Sequence, residues 1–239
     1  MKKIELILSD FDGTITKPCG ELTSVFFDIL SLLKNHKLPL VIVTGRSLSW
    51  GHFLLTHFSY LEDVIAEGGG VWLSRKEDQI QRKDLIDSSH IKKLQAFCEK
   101  LEIEFPQISL SADSYGRLTD RAIELSELEK NSSVEREILK LMDYEGITYS
   151  KSNVHLNFWS GEISKSCAVE KFLRFKKIDR KNVLYFGDSL NDESLFEFLP
   201  ETIGVSNIKN ILEKLCAKPK VILEGNKNEG PKGMLNYLK

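Results

Sequence analysis

Short apolar runs that each stop at a cluster of polar residues constrain this chain more than any other feature. Ile4 to Leu8, interrupted only by Glu5, ends in Ser9-Asp10-Phe11-Asp12-Gly13-Thr14, and Leu38 to Val43 runs into Thr44-Gly45-Arg46-Ser47. Val64-Ile65-Ala66 closes on Glu67-Gly68-Gly69-Gly70, and Val183 to Phe186 delivers Gly187-Asp188-Ser189-Leu190-Asn191-Asp192. Runs this short and continuous suit buried strands that end in turns. Between the first two, Leu22, Val25, Phe26, Ile29, Leu30 and Leu33 recur at three and four, the stripe of an amphipathic helix, and a second helical stretch runs through Phe58. Strands alternating with helices predict an α/β fold built on a parallel sheet with helices on both faces.

In such sheets ligands bind beyond the carboxyl ends of the strands, so the polar clusters should converge. Side chains two apart in a strand point the same way, which turns Asp10 and Asp12 toward one site while Phe11 packs behind them. Two carboxylates so close do not both ionise unaided. Either one keeps a proton and serves as an acid, or a divalent cation offsets the repulsion. Phosphoryl transfer uses both arrangements; a solvated turn is the plain alternative. Asp188 and Asp192 add carboxylate oxygen, and with Asp10 they offer the hard ligands that suit Mg²⁺, although helix capping also explains them. Thr44 taken alone reads as a helix cap. Lys165 opens a helix, where a cation opposes the macrodipole, a position that makes sense if an anion is bound there. A surface lysine is the commoner reading of such a residue.

The texture changes near Arg75, at the charged stretch Lys76-Glu77-Asp78-Gln79. Beyond it come a helix marked by Ile91, Leu94, Phe97, Cys98 and Leu101, extended stretches at Ile108 to Leu110 and Ala122 to Leu125, and a helix opening with Ser132-Ser133-Val134-Glu135. Ile147 to Ser150 and Val154 to Trp159 follow as strands around a short Lys-Ser-Asn turn. Residues 77–160 therefore read as an α+β unit inserted between the two parts of the sheet domain, 1–76 and 161–239. After Gly161 the first pattern resumes: a helix from Lys165 to Phe175, the strand before Asp188, a strand Thr202 to Val205, a helix Ile208 to Leu215, a strand Val221 to Leu223 and a short helix after Pro231. In the insertion, the strand from Val154 alternates apolar Val154, Leu156 and Phe158 with His155, Asn157 and Trp159. If the second face overhangs the site, His155 and Asn157 would hydrogen-bond sugar hydroxyls and Trp159 would cover a ring; a solvated sheet face is the alternative.

Composition excludes several classes. With 33 Lys plus Arg against 35 Asp plus Glu and no long block of either sign, nothing points to nucleic acid or an anionic membrane surface. The first apolar run is too short for a signal core or a membrane span, so a cytoplasmic protein is expected. Cys19, Cys98, Cys167 and Cys216 lie far apart with no CxxC pair and read as reduced, mostly buried thiols, with no zinc site. The histidines are scattered, and His52 and His57 are five apart, one too many for a metal pair on a helix.

Asp-Phe-Asp-Gly-Thr, a strand ending in Thr-Gly-Arg, a lysine opening a helix and Gly-Asp-Ser-Leu-Asn-Asp after a strand, in this order, resemble the haloacid dehalogenase superfamily of phosphotransferases. The resemblance covers the whole chain, and the insertion is similar to the cap of the subfamily containing sucrose-phosphate and mannosyl-3-phosphoglycerate phosphatases. It implies a Rossmann-like core with an α+β cap and a Mg²⁺-dependent phosphatase acting on a small phosphomonoester, most readily a sugar phosphate. It further implies Asp10 as the nucleophile that becomes an aspartyl-phosphate and Asp12 as general acid and base. Thr44, Gly45 and Lys165 would hold the phosphoryl oxygens. Asp10, the backbone carbonyl of Asp12 and Asp188 would ligate Mg²⁺, with Asn191 and Asp192 in support, and Arg46 would face the substrate. Relatives often carry Asn-Gly where this chain has Glu67-Gly68. A phosphohexomutase of the same superfamily and a non-catalytic binding protein on the same fold are the rival readings. Which phosphate ester is used, and the oligomeric state, are not written in the motifs.

Overall fold

The computed structural model describes residues 3–130, 132–151 and 155–239. In chain order the elements are β1 (Leu6–Ser9), α1 (Val25–Asn35), β2 (Leu40–Val43), α2 (Leu48–His57), β3 (Asp63–Ala66), β4 (Val71–Lys76), β5 (Gln79–Asp84) and α3 (Ser88–Glu104). Then come β6 (Asp120–Glu124), α4 (Leu125–Leu128), α5 (Ser132–Glu145), β7 (Thr148–Lys151) and β8 (His155–Trp159). The chain closes with α6 (Lys165–Lys176), β9 (Val183–Gly187), α7 (Glu193–Phe198), β10 (Thr202–Gly204), β11 (Val221–Ile222) and α8 (Pro231–Leu238).

Core strands assemble in the order β11-β10-β9-β1-β2-β3-β4-β5, parallel from β11 to β3 and antiparallel over the last two. Period-two alternation in β1 explains why helices cover both faces. Leu6 and Leu8 join Val169 and Phe172 of α6 and Leu195 of α7, whereas Ile7 joins Phe26, Ile29 and Leu33 of α1, Leu54 of α2 and Met234 of α8. Each of these buried side chains contributes roughly 1.5–3 kcal/mol, so a one-residue slip of β1 would misplace both layers.

The sheet continues past the boundary expected between residues 76 and 77, because β5 pairs with β4 as its edge strand. Its sequence, Gln-Ile-Gln-Arg-Lys-Asp, is mostly exposed. An edge strand solvated along its length carries surface composition, which is why it read as the start of another unit.

The second sheet runs β6-β8-β7, antiparallel throughout. Leu156 and Phe158 are fully buried against Leu94, Phe97 and Leu101 of α3 and Ile138 and Met142 of α5, so the apolar face of β8 packs as expected. Val154, Ser152 and Asn153, which complete the expected strand and turn, lie outside the described residues. Leu110 forms only an isolated bridge to Ile123 in place of a strand, and the chain then coils through Ala112–Gly116 against the core. The helix expected over Ile208 to Leu215 is two short 3-10 turns, Ser206–Asn210 and Leu212–Lys214. Asn207 accounts for this: its amide donates to Gly13 O at 3.0 Å and to Asp188 Oδ2 at 2.7 Å, and its Oδ1 accepts from Gly230 N at 3.0 Å. Those tertiary bonds pin a segment that periodicity alone would coil into an α-helix. The four cysteines are free, but Cys19, Cys167 and Cys216 are exposed, which corrects the expectation of mostly buried thiols; Cys167 points outward from the first turn of α6. Among the described residues no helix is long and apolar enough to cross a membrane.

Candidate active site

Adjacent parallel strands bring the ends of β9, β1 and β2 to one edge of the sheet, and the polar clusters meet there. Asp10 follows β1 and is anchored by its amide, which donates to Phe186 O at 2.9 Å. Phe11 is buried behind it, as the alternation required. Lys165, the first residue of α6, has a side chain only 1% exposed, and its Nζ donates to Asp10 Oδ1 at 2.8 Å and Asp192 Oδ1 at 2.6 Å. The helix is capped by Ser164, whose hydroxyl accepts from Cys167 N, so the lysine starts its turn with a fixed direction.

Asp192 is saturated with donors. Besides Lys165, its Oδ1 accepts from Tyr185 Oη at 2.5 Å, and its Oδ2 accepts from the amides of Asp188 and Ser189 at 2.8 and 3.0 Å. It therefore ties the 188–192 turn to the lysine. Asp188 accepts from Thr14 Oγ1 at 2.9 Å and from Asn207 Nδ2 at 2.7 Å. Gly13, at φ +77°, makes room for it: a Cβ there would stand 2.2 Å from Asp188 Oδ2. Asn191 is exposed, with Oδ1 accepting from Ser189 Oγ at 2.8 Å.

Ligand oxygens of Asp10, Asp188 and Asp192 lie within 4.8 Å of one another, with the ammonium of Lys165 among them. Burial, followed by repulsion from Asp192, pushes Asp10 up to about 7 against the pull of Lys165. Burial, followed by repulsion from Asp10 and Asp192, pushes Asp188 up to about 8. Burial works against the charge of Lys165, yet the two carboxylates beside it hold its proton more tightly than usual. The cluster has more anionic oxygen than one lysine neutralises, and its donors are hard. That chemistry fits a divalent cation such as Mg²⁺, with Asp10 and Asp188 available to it and Asp192 already engaged.

Asp12 is half-buried and held by a bidentate fork, Arg46 Nε to Oδ2 at 2.8 Å and Nη2 to Oδ1 at 2.6 Å. Arg46 also lies over the ring of Trp50, 4.9 Å from its centroid. Thr44 is buried and does not cap α2; Ser47 occupies that position, and Thr44 Oγ1 instead accepts from Arg46 N at 3.0 Å. The carbonyl of Gly45 accepts from Arg117 Nη1, reaching over from the inserted unit at 3.1 Å.

His155 and Asn157 sit apart from this cluster's framework. The register pairs Asp120 with Trp159 and Glu124 with His155. Arg117, which touches Gly45, also binds Asp120, so the Trp159 end of β8 adjoins the core and His155 lies about 13 Å farther along. His155 Nε2 is 2.9 Å from Glu124 Oε1.

Sequence reasoning assigned no role to Thr14, Asn207, Tyr185, Arg117 or Glu67. Thr14 ends the Asp-Phe-Asp-Gly-Thr stretch, and Asn207 follows the strand before it as the other site residues do, so the same signal marks both. Tyr185 was hidden in an apolar run. Glu67 is 1% exposed at φ +53°, and its carboxylate accepts from Leu48 N at 3.0 Å, Leu118 N at 2.9 Å, Thr119 N at 2.6 Å and Thr119 Oγ1 at 2.6 Å. It fastens the inserted unit to the loop after β3.

A family model described as haloacid dehalogenase-like hydrolase matches residues 7–120 and 106–230. A phosphoglycolate phosphatase of Methanobrevibacter smithii is 26% identical over 88% of this chain and 89% of its own length, and one of Picrophilus torridus is 27% identical over 98% and 85%. A haloacid dehalogenase-like hydrolase from Bacteroides thetaiotaomicron superposes with a TM-score of 0.73 over 99% of this chain and all of its own, at 16% identity. A phosphatase of the same superfamily from that organism superposes with a TM-score of 0.70 at 15% identity, covering 99% of this chain and 96% of its own. At such identities the structural likeness speaks for the fold.

Proposed function

This chain belongs to the haloacid dehalogenase-like hydrolase family, and from that premise we propose that it is a Mg²⁺-dependent phosphatase of small phosphomonoesters. The observation that carries the reading is the buried contact of Lys165 with Asp10 and Asp192, at 2.8 and 2.6 Å, beside Asp188 at the ends of β1 and β9. Asp10 and Asp188, with the backbone carbonyl of Asp12, would hold Mg²⁺. When bound, the ion offsets the negative charge gathered on the carboxylates and on the phosphoryl group.

In this mechanism Asp10, oriented by Lys165 on Oδ1, attacks phosphorus. The bond to the leaving oxygen breaks and an aspartyl-phosphate forms. Asp12 gives its proton to the leaving alcohol. It then takes one from the water that attacks phosphorus, releasing inorganic phosphate and restoring Asp10. The Arg46 fork occupies both Asp12 oxygens, so one of its two bonds opens for Asp12 to carry the proton in each transfer, and Thr44 and Gly45 line the phosphoryl site with Lys165. The first substrate reading is a sugar phosphate; the names of the two relatives support phosphoglycolate as the second.

The test is phosphate release with Mg²⁺. Asp10→Asn keeps shape without nucleophilic charge and is expected to lose several orders of magnitude in kcat, and near-normal turnover would overturn the assignment. Asp12→Asn should cost less on p-nitrophenyl phosphate, whose leaving group needs little protonation, than on an alkyl phosphate. A requirement for a bisphosphate activator would instead reveal a mutase.

A further inference from the structure

Between α2 and the Ala112–Gly116 coil of the inserted unit lies a groove of about 480 Å³, within the range of small-molecule sites. Its walls are Trp50, Phe53, Ala112 and Gly116, with Ser47, Ser49 and Asp113 as polar groups. Two observations tie it to substrate. Arg46 grips Asp12 with its fork while its guanidinium lies on the ring of Trp50, so one wall begins where the acid ends. Ser47 is fully buried, and its Oγ has no hydrogen-bond partner among the described residues, a costly state for a hydroxyl unless a ligand completes it.

We propose that this groove receives the alcohol part of the substrate and selects a neutral polyhydroxy group, with Ser47 and Ser49 bonding its hydroxyls and Trp50 covering a ring. The assignment rests on the phosphatase reading and moves specificity from the β8 face to the seam between core and cap. Aromatic faces beside hydroxyl and carboxylate groups suit a sugar, whose C–H surface packs on the ring while its hydroxyls bond at the edge. They do not suit an acidic alcohol. The nearby guanidiniums are already engaged, Arg46 by Asp12 and Arg117 by Asp113, Asp120 and the carbonyl of Gly45. A carboxylate such as that of glycolate would meet Asp113 without a cation to spare.

The test compares kcat/KM of wild type, Ser49→Trp and Ser47→Ala on glucose 6-phosphate, mannose 6-phosphate, ribose 5-phosphate, phosphoglycolate and acetyl phosphate, whose leaving group is small and carries neither a ring nor a hydroxyl. Wild type should favour at least one sugar phosphate over phosphoglycolate. Ser49→Trp fills the groove, and the ratio of kcat/KM for that sugar phosphate to that for acetyl phosphate should fall tenfold or more, chiefly through KM. Ser47→Ala should lower the same ratio by several-fold, the scale of one lost hydrogen bond. An unchanged ratio in both variants, or a wild-type preference for phosphoglycolate, overturns the groove assignment while leaving the phosphatase intact. Failure of folded wild type to hydrolyse any of these compounds with Mg²⁺ overturns the phosphatase reading itself.

Discussion

Lys165 is where a single residue joins folding to chemistry. Its ammonium is buried between two carboxylates, so Lys165→Ala leaves Asp10 and Asp192 facing each other without a counter-charge. Breaking a buried pair in this way costs about 3–5 kcal/mol, which for a chain of this size lowers Tm by on the order of 10 °C, and phosphate affinity should fall with it. Lys171, six residues on, is the natural control, although its Nζ donates to Leu85 O at 2.6 Å across the start of the inserted unit. Lys171→Ala should cost about 1 kcal/mol in melting experiments and leave turnover within about twofold. A larger kinetic loss at Lys171 than at Lys165 would show that the wrong lysine had been assigned to the site. The sequence marked Lys165 by its place at a helix start. It could not show that the side chain turns wholly inward, because that depends on Asp192 arriving from another strand.

At the scale of elements, the decisive join is between the loop after β3 and the coil leading into β6. Glu67 is held at positive φ, where a non-glycine residue stores strain of about 1–3 kcal/mol, and four donors from two segments converge on its carboxylate. Gly70 sits directly beneath, where a Cβ would stand 1.8 Å from Thr119 Oγ1. Glu67→Ala strands these donors in a dry site and is expected to cost roughly 3 kcal/mol, with faster proteolytic cleavage near residues 112–119 than in wild type. Melting and cleavage unchanged from wild type would remove Glu67 as the fastener. The Gly-rich turn was legible as a place of close backbone approach. What it approaches was not, since Leu118 and Thr119 lie some fifty residues away in a segment without periodicity.

Across the whole molecule, the seam between core and cap carries a pH response. Asp120 is 8% exposed beside Arg117, Glu67 and Arg121, and burial, with Glu67 adding to it, pushes the carboxyl from 3.8 up to about 7 although Arg117 pulls the other way. The folded value lies above the unfolded one, so the folded chain binds the extra proton. Its stabilising share is complete below about pH 4 and is lost as pH rises through about 7. Asp120→Asn has no proton to lose, so the Tm of wild type minus that of the variant should decline between those limits; a constant difference would refute the response. By itself the sequence determined the α/β class and the polar residues at the ends of the core strands, because burial on both faces of a parallel sheet forces continuous apolar runs that stop where the site begins. Only the tertiary structure decided that β5 edges the core sheet, that Asn207 holds Asp188, that Arg46 grips Asp12 and that Glu67 seats the cap. The last three are contacts between segments well separated in the chain, and periodicity records which face a residue presents without recording what comes to meet it; β5 pairs with its immediate neighbour β4, and there the solvated composition of an edge strand concealed it.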